Sequence, residues 1–291
     1  MMVSRLALGA AQFGFPYGVS NNNGQVSLSS AKAMLKLAQE KGIDTIDTAI
    51  AYGDSESNLG KIGVQDFKLV TKLPAIPDSC LNVEAWVKEQ FVASISRLGV
   101  SSVYGLLLHR PEQLIGVHGK RLYEAIRKLK ETGLVDKFGI SIYSVSELDL
   151  LVPLFSIDII QAPFNIIDRR LYTSGWLSKL KETGIEVHTR SAFLQGLLLM
   201  PKTTIPTHFS PWAELLDNWH QWLLKNDVSA LQTCLKFPLA FPEVDKVVVG
   251  AESPSQLIEI MNAENSDFNL DFPDTFSEDE SFINPANWTK L

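Results

Sequence analysis

A single-domain (β/α)8 barrel is the fold class this chain predicts, on three observations. Short β-branched or leucine-rich runs bounded by turn residues recur eight times, helical stretches separate them, and a helix–glycine–strand junction repeats. Strands alternating with helices form parallel βαβ units. Eight such units in 291 residues suit one closed barrel, a fold of typically about 250 residues in one domain. The competing architecture, an open doubly wound sheet, would want G-x-G-x-x-G after the first strand. Here that turn reads Gly9-Ala10-Ala11-Gln12-Phe13-Gly14, without the middle glycine.

Strands are predicted near 5–10, 43–48, 67–72, 103–109, 136–141, 157–162, 185–190 and 245–250. Strands covered on both faces read as unbroken apolar runs, as in YGLLLH and KVVVGA. Helices are predicted at about 28–41, 55–63, 82–98, 119–131, 145–151, 170–182, 212–236 and 254–262. Three of them end alike, with Lys or Arg in the last turn and then Gly42, Gly133 or Gly184, a left-handed cap that turns the chain into a strand. The connection between strands 7 and 8 is long. Its Trp212, Trp219 and Trp222 sit near helical spacing and are expected to pack a helix on the barrel. From 263 the chain is acidic and aromatic without a period. Residues 1–262 therefore read as the barrel and 263–291 as an irregular tail packing on or near it.

A net charge of −7 and no run of five basic residues argue against nucleic acid or an anionic membrane as partner. Cys80 and Cys234 are too few for a disulfide framework and read as reduced thiols of a cytoplasmic protein. In MMVSRLALGAAQFG, Gly and Gln interrupt the apolar run a leader needs, and no apolar run elsewhere is long enough to span a membrane. His118, His188, His208 and His220 lack metal spacing, so no metal is expected. A monomer or small homo-oligomer is expected.

Barrel enzymes carry their chemistry where strands end and βα loops begin. Strand 2 ends in Asp47, with Tyr52 just beyond; strand 3 ends in Lys72, and strand 4 stops at His109. Taken singly, each has an ordinary reading: a loop acid, a half-buried aromatic, a solvated charge, a strand-terminal imidazole. Together on adjacent strand ends they form a chemical set. A phenol is a poor acid at neutral pH, and a nearby ammonium lowers its pKa. A carboxylate keeps that ammonium charged and in place. An imidazole can orient a carbonyl oxygen, so Tyr52 and His109 would serve a carbonyl receiving a hydride.

The string IDTAIAYGDSESNLG (46–60) resembles the signature of the aldo-keto reductase superfamily. The resemblance continues through VTKLP (70–74), LLLHRP (106–111), KFGIS (137–141), QAPFNIIDRR (161–170) and VVVGAESPSQL (247–257). It implies reduction of an aldehyde or ketone with NADPH or NADH. Tyr52 would be the general acid, Lys72 would lower its pKa, Asp47 would anchor Lys72, and His109 would position the carbonyl. The resemblance also implies the cofactor contacts. Gly9 and Ala10 end strand 1. Ser141 and Gln161 match the carboxamide partners, although Ile142 replaces the usual Asn. Ser191, Leu194, Gln195 and Gly196 match the pyrophosphate loop. Arg190 stands where the family often stacks a tyrosine on the nicotinamide. A planar guanidinium can stack there or pair with a loop carboxylate.

Gly250, Ala251, Glu252, Ser253 and Gln256 form the strand 8 turn, with no basic residue for a 2′-phosphate. Glu252 could accept from a ribose 2′-hydroxyl or point to solvent, and Ser253-Pro254 opens a helix whose N-terminus could take a phosphate. Cofactor preference stays open, tilted to NADH. Phe13, Phe15 and Tyr17 follow strand 1 and could line a substrate pocket. Their loop, with TRSAFLQGLL, resembles a bacterial branch associated with sugar and surface-polysaccharide enzymes, implying a sugar-like or other polar carbonyl as the small-molecule partner. Two other readings compete: a catalytically weak nicotinamide-sensing barrel subunit, and a lyase using Lys72 as a Schiff-base nucleophile, which Asp47 opposes by keeping Lys72 charged.

Overall fold

A computed structural model describes residues 4–290. Residues 1–3 and 291, at the ends of the expected barrel and tail ranges and at the start of the segment read as lacking a leader, lie outside them. Eight strands run β1 (Leu6–Gly9), β2 (Thr45–Asp47), β3 (Lys68–Leu73), β4 (Val103–Leu108), β5 (Val135–Ser141), β6 (Ile159–Pro163), β7 (Glu186–Arg190) and β8 (Lys246–Gly250). Each pairs in parallel with the next, and β8 returns to β1 in register from Leu6↔Val247 to Gly9↔Gly250, closing the barrel.

Around the sheet lie α1 (Leu28–Glu40), α2 (Ser55–Ile62), α3 (Val83–Leu98), α4 (Gly119–Glu131), α5 (Ser146–Leu151), α6 (Arg170–Thr173), α7 (Trp176–Glu182), α8 (Ala213–Asn226), α9 (Ala230–Leu239) and α10 (Pro254–Asn265). The glycines after α1, α4 and α7 adopt φ of 82°, 72° and 74°, the left-handed cap their sequence context demands. Each helix buries one stripe; on α4 that is Leu122, Ile126 and Leu129, each worth roughly 1.5–3 kcal/mol of transfer from water.

Two predicted helices are each broken in two. The stretch 170–182 divides at Gly175, at φ 78°, and 212–236 divides at Asp227, at φ 52°, after which Ser229 caps α9 through the Gln232 N–H. The tryptophans separate likewise. Trp219 is fully buried and donates Nε1–H to the Leu198 carbonyl at 3.1 Å. Trp212 instead stacks on Phe282 of the tail, with ring centroids 4.9 Å apart, and donates to Asp279 at 2.9 Å. The tail carries a short helix, α11 (Glu280–Ile283), and Glu280 meets Arg170 at 3.0 Å.

Inside the barrel three levels follow one another. Lys68, Lys137, Lys246, Asp44 and Glu186 form an ion-paired floor. Val70, Leu107 and Ile159 make an apolar waist. Above it, at the C-terminal ends of the strands, the polar side chains of the next section gather. Among the described residues no helix is long and apolar enough to cross a membrane, and no cluster of His, Cys, Asp and Glu could hold a metal.

Candidate active site

Lys72 and Asp47 form a buried ion pair at the ends of β3 and β2, with the lysine 1% exposed. The ammonium donates to Asp47 Oδ1 at 2.6 Å, to Oδ2 at 2.7 Å and to the Thr48 carbonyl at 2.8 Å. All three hydrogens are thereby used. Lys72 is thus held as the counter-ion of Asp47. Burial draws the Lys72 pKa down, and Asp47 opposes the shift. Gln161 donates Nε2–H to Asp47 Oδ2 at 2.7 Å and accepts from Ser141 Oγ at 3.2 Å. The two residues matched to the carboxamide thus also brace the ion pair.

Tyr52 sits over this pair, its ring centroid 5.2 Å from Lys72 Nζ and 5.9 Å from the His109 ring, which meets it edge-on. Lys72 therefore faces the aromatic ring and makes no hydrogen bond to the hydroxyl. Burial pushes the Tyr52 pKa above the usual tyrosine value; the Asp47 charge adds to the rise and Arg190 opposes it. Burial, then the charges of Lys72 and Arg190, take His109 down to about 4, so its imidazole is neutral at neutral pH.

The turn carrying Tyr52 is built tightly. Ser55 Oγ donates to the Ala10 carbonyl at 2.7 Å and lies 3.0 Å from Thr48 Oγ1. A Cβ on Gly14 would stand 1.7 Å from the Tyr52 carbonyl oxygen. Gly14→Ala is expected to cost roughly 1–3 kcal/mol by overpacking and to displace Tyr52; unchanged thermal unfolding would show that the turn yields. Glu56, left without a role in the sequence, is buried behind the same turn. Its carboxylate accepts from Thr71 Oγ1 at 2.7 Å, Ser94 Oγ at 2.6 Å and Arg97 Nη2 at 2.6 Å, tying α2 and α3 to the strand that carries Lys72.

Beside Tyr52 opens a cavity of about 470 Å³, lined by Gly9, Ala10, Tyr17, Asp47, Tyr52, Arg190, Ser191, Gln195, Gly196, Gly250, Glu252 and Gln256 of the sequence-predicted set. Ser141, Gln161, Ala251 and Ser253 are not among the lining residues; Ser253 caps α10 through the Gln256 N–H at 3.2 Å. Lys72, His109, Phe13, Phe15 and Leu194 are likewise not among the lining residues. Phe13 is fully buried because the short 3-10 turn Ala11–Phe13 rolls its ring into the core, and the Leu194 side chain is likewise fully buried. Phe15 packs edge-on against two residues that do line it, Tyr17 at 5.7 Å and Tyr52 at 6.1 Å.

Gln12, Ser20, Ser229, Leu231 and Glu259 also line the cavity. Ser229 carries no role while 212–236 reads as one helix; its side chain accepting from the Gln232 N–H is what marks the start of α9. Ser191, Leu194 and Gln195 adopt φ of 62°, 46° and 54°. Non-glycine residues in that region cost about 1–3 kcal/mol each and persist where the surroundings impose them. Across this loop lies the β1–α1 loop. Val19 N–H donates to the Gln195 carbonyl at 3.0 Å, Gln195 Nε2 to Tyr17 Oη at 3.3 Å, and Asn23 Nδ2 to Glu252 Oε2 at 3.1 Å.

Arg190 donates to the Ile142 carbonyl at 2.8 Å and to Ser191 Oγ at 3.3 Å, and its guanidinium carbon is 4.4 Å from the Tyr143 ring centroid. The alternative of a loop carboxylate partner is not met among the described residues: stacking on Tyr143 takes its place.

The profile of the Aldo/keto reductase family matches residues 5–276, and the chain belongs to that family. It is an oxidoreductase of a family that reduces carbonyls and typically uses NADH or NADPH. "Oxidoreductase sirO" of Leptosphaeria maculans is 28% identical over 221 residues, 71% of this chain and 65% of its own length. "Uncharacterized oxidoreductase YqkF" of Bacillus subtilis (strain 168) is 28% identical over 259 residues, 82% of this chain and 83% of that protein. The holo form of aldo-keto reductase AKR11C1 from Bacillus halodurans superposes with a TM-score of 0.73 at 22% identity, covering 92% of this chain and 89% of its own, a likeness of fold.

Proposed function

We propose that the chain reduces an aldehyde or ketone to an alcohol with NADH, Tyr52 giving the proton. The observation that carries this reading is Tyr52 lining the cavity with the His109 ring edge-on to it at 5.9 Å, beside the closed Lys72–Asp47 ion pair. The cavity suits a dinucleotide: the N-termini of α9 and α10 border it, and backbone amides with left-handed φ line one side. Ser191, Gln195 and Gly196 would hold the pyrophosphate, with Gly9, Ala10, Gly250, Ala251, Ser253 and Gln256 around the rest. Ser141 and Gln161 would take the carboxamide. When bound, the cofactor supplies the hydride.

His109 fixes the carbonyl oxygen by donating an N–H to it, and Tyr52 gives its proton to the same oxygen as negative charge develops there. A high pKa keeps Tyr52 protonated until that moment. The Lys72 ammonium, 5.2 Å from the ring, stabilises the phenolate left behind. The rings of Phe15 and Tyr17 suit the C–H face of a sugar-like carbonyl.

NADH is favoured because Glu252 and Glu259 line the cavity, and among the residues that line it only Arg190 is cationic. Glu252→Arg is expected to raise NADPH affinity relative to NADH about tenfold or more. An unchanged preference would place the 2′ position elsewhere. The reading itself is tested by fluorescence titration with NADH and NADPH, followed by loss of NADH absorbance with polar aldehydes. Binding of neither nucleotide would sink it.

A further inference from the structure

We infer that Arg190 makes the cavity discriminate between the two oxidation states of its nicotinamide cofactor, holding the reduced form and rejecting the oxidised one. The inference rests on the reading above and adds a property that reading does not require. Its basis is the charge balance of the site. Lys72 is matched by Asp47 at 2.6 Å, so that pair contributes little net charge. Arg190 has neutral partners: a carbonyl, a hydroxyl and an aromatic face. Of the other charged side chains lining the cavity, Asp47 faces Lys72, while Glu252 and Glu259 belong to the turn and helix that follow β8, and neither is among the charges felt by Tyr52 or His109. Arg190 is thus the one cation among the lining residues, and it shares that lining with Tyr52.

Hydride transfer requires the nicotinamide ring to touch the carbon whose oxygen Tyr52 protonates, which brings the ring into the same part of the cavity as Arg190. Charge from Arg190 reaches that centre: it opposes the rise of the Tyr52 pKa and helps depress those of His109 and Lys72. A dihydronicotinamide ring is neutral, whereas the oxidised ring bears a positive charge. Like charges in a partly desolvated site repel more strongly than in water. A guanidinium cannot escape the repulsion by losing its proton. It is also held in place, by the Ile142 carbonyl at 2.8 Å and the Tyr143 ring at 4.4 Å. Rejection of the oxidised form speeds its departure after each reduction and works against alcohol oxidation.

The test is equilibrium binding, independent of turnover. NADH is titrated by fluorescence and NAD+ by displacement of bound NADH, with the phosphorylated pair alongside. The wild-type protein is expected to bind the reduced form at least about tenfold more tightly than the oxidised. Arg190→Met should shrink that ratio about tenfold, mainly by tightening NAD+, while Arg190→Lys, which keeps the charge, should preserve most of it. A tenfold change corresponds to about 30 mV in the two-electron potential of the bound couple. Equal wild-type affinities for the two oxidation states overturn the inference without recourse to any variant. So does an Arg190→Met protein that weakens both forms equally. Wild-type protein that binds no nicotinamide nucleotide at all overturns the proposed function, and the inference with it.

Discussion

Tyr52→Phe is expected to lower carbonyl reduction by about three orders of magnitude while NADH affinity stays within about twofold, because the substitution removes the proton donor and nothing that shapes the cavity. The ring remains, so its contacts with Lys72, His109 and Phe15 remain too. A pH profile gives the same claim a second edge. The reaction needs the phenol protonated, so activity falls only as pH rises through the Tyr52 pKa, which burial places above the ordinary 10.0. His109, brought down to about 4, is already neutral at mildly acidic pH. kcat/KM should thus be level across the neutral range, with no inflection near the usual histidine value. An inflection there in the wild type, or near-normal turnover by Tyr52→Phe, would assign the proton to another group.

Asp47→Asn should have the largest effect on stability. It leaves the Lys72 ammonium, 1% exposed, without a counter-charge, and takes from Gln161 its charged acceptor. Breaking one side of a buried pair costs about 3–5 kcal/mol. In a domain of this size that is a fall in melting temperature on the order of 10 °C. Activity should collapse with it. Replacing both members, Asp47→Leu with Lys72→Met, separates the two effects: much of the stability returns, since no lone charge is left buried, but reduction does not. A singly substituted Asp47→Asn protein as stable as the parent would mean that water reaches Lys72.

The barrel and the positions of its four polar strand-end residues were legible because buried parallel strands write themselves as apolar runs that stop at their polar ends. Leu106-Leu107-Leu108-His109 is the plainest case. Glycine caps supplied the opposite boundary. Breaks at Gly175 and Asp227 were hidden, since helical pattern resumes on both sides and one left-handed residue leaves little trace in periodicity. The burial of Phe13 was hidden too: Phe13 and Phe15 look alike in a loop, and only the turn at Ala11–Phe13 sends one ring inward. Depth of burial was the least legible. How deeply a strand-end phenol lies is not written in periodicity, and burial is the largest cause of the raised Tyr52 pKa.

Closure of the sheet through Leu6↔Val247 joins the first strand to the last across nearly the whole chain. During synthesis β1 has no neighbour on that side until residue 250 has left the ribosome. Until then the nascent chain exposes two open edges, at β1 and at β7, each a template for pairing with another chain. Assembly of such distant contacts is intrinsically slow. A chain truncated before β8 would be left with seven strands and both edges bare.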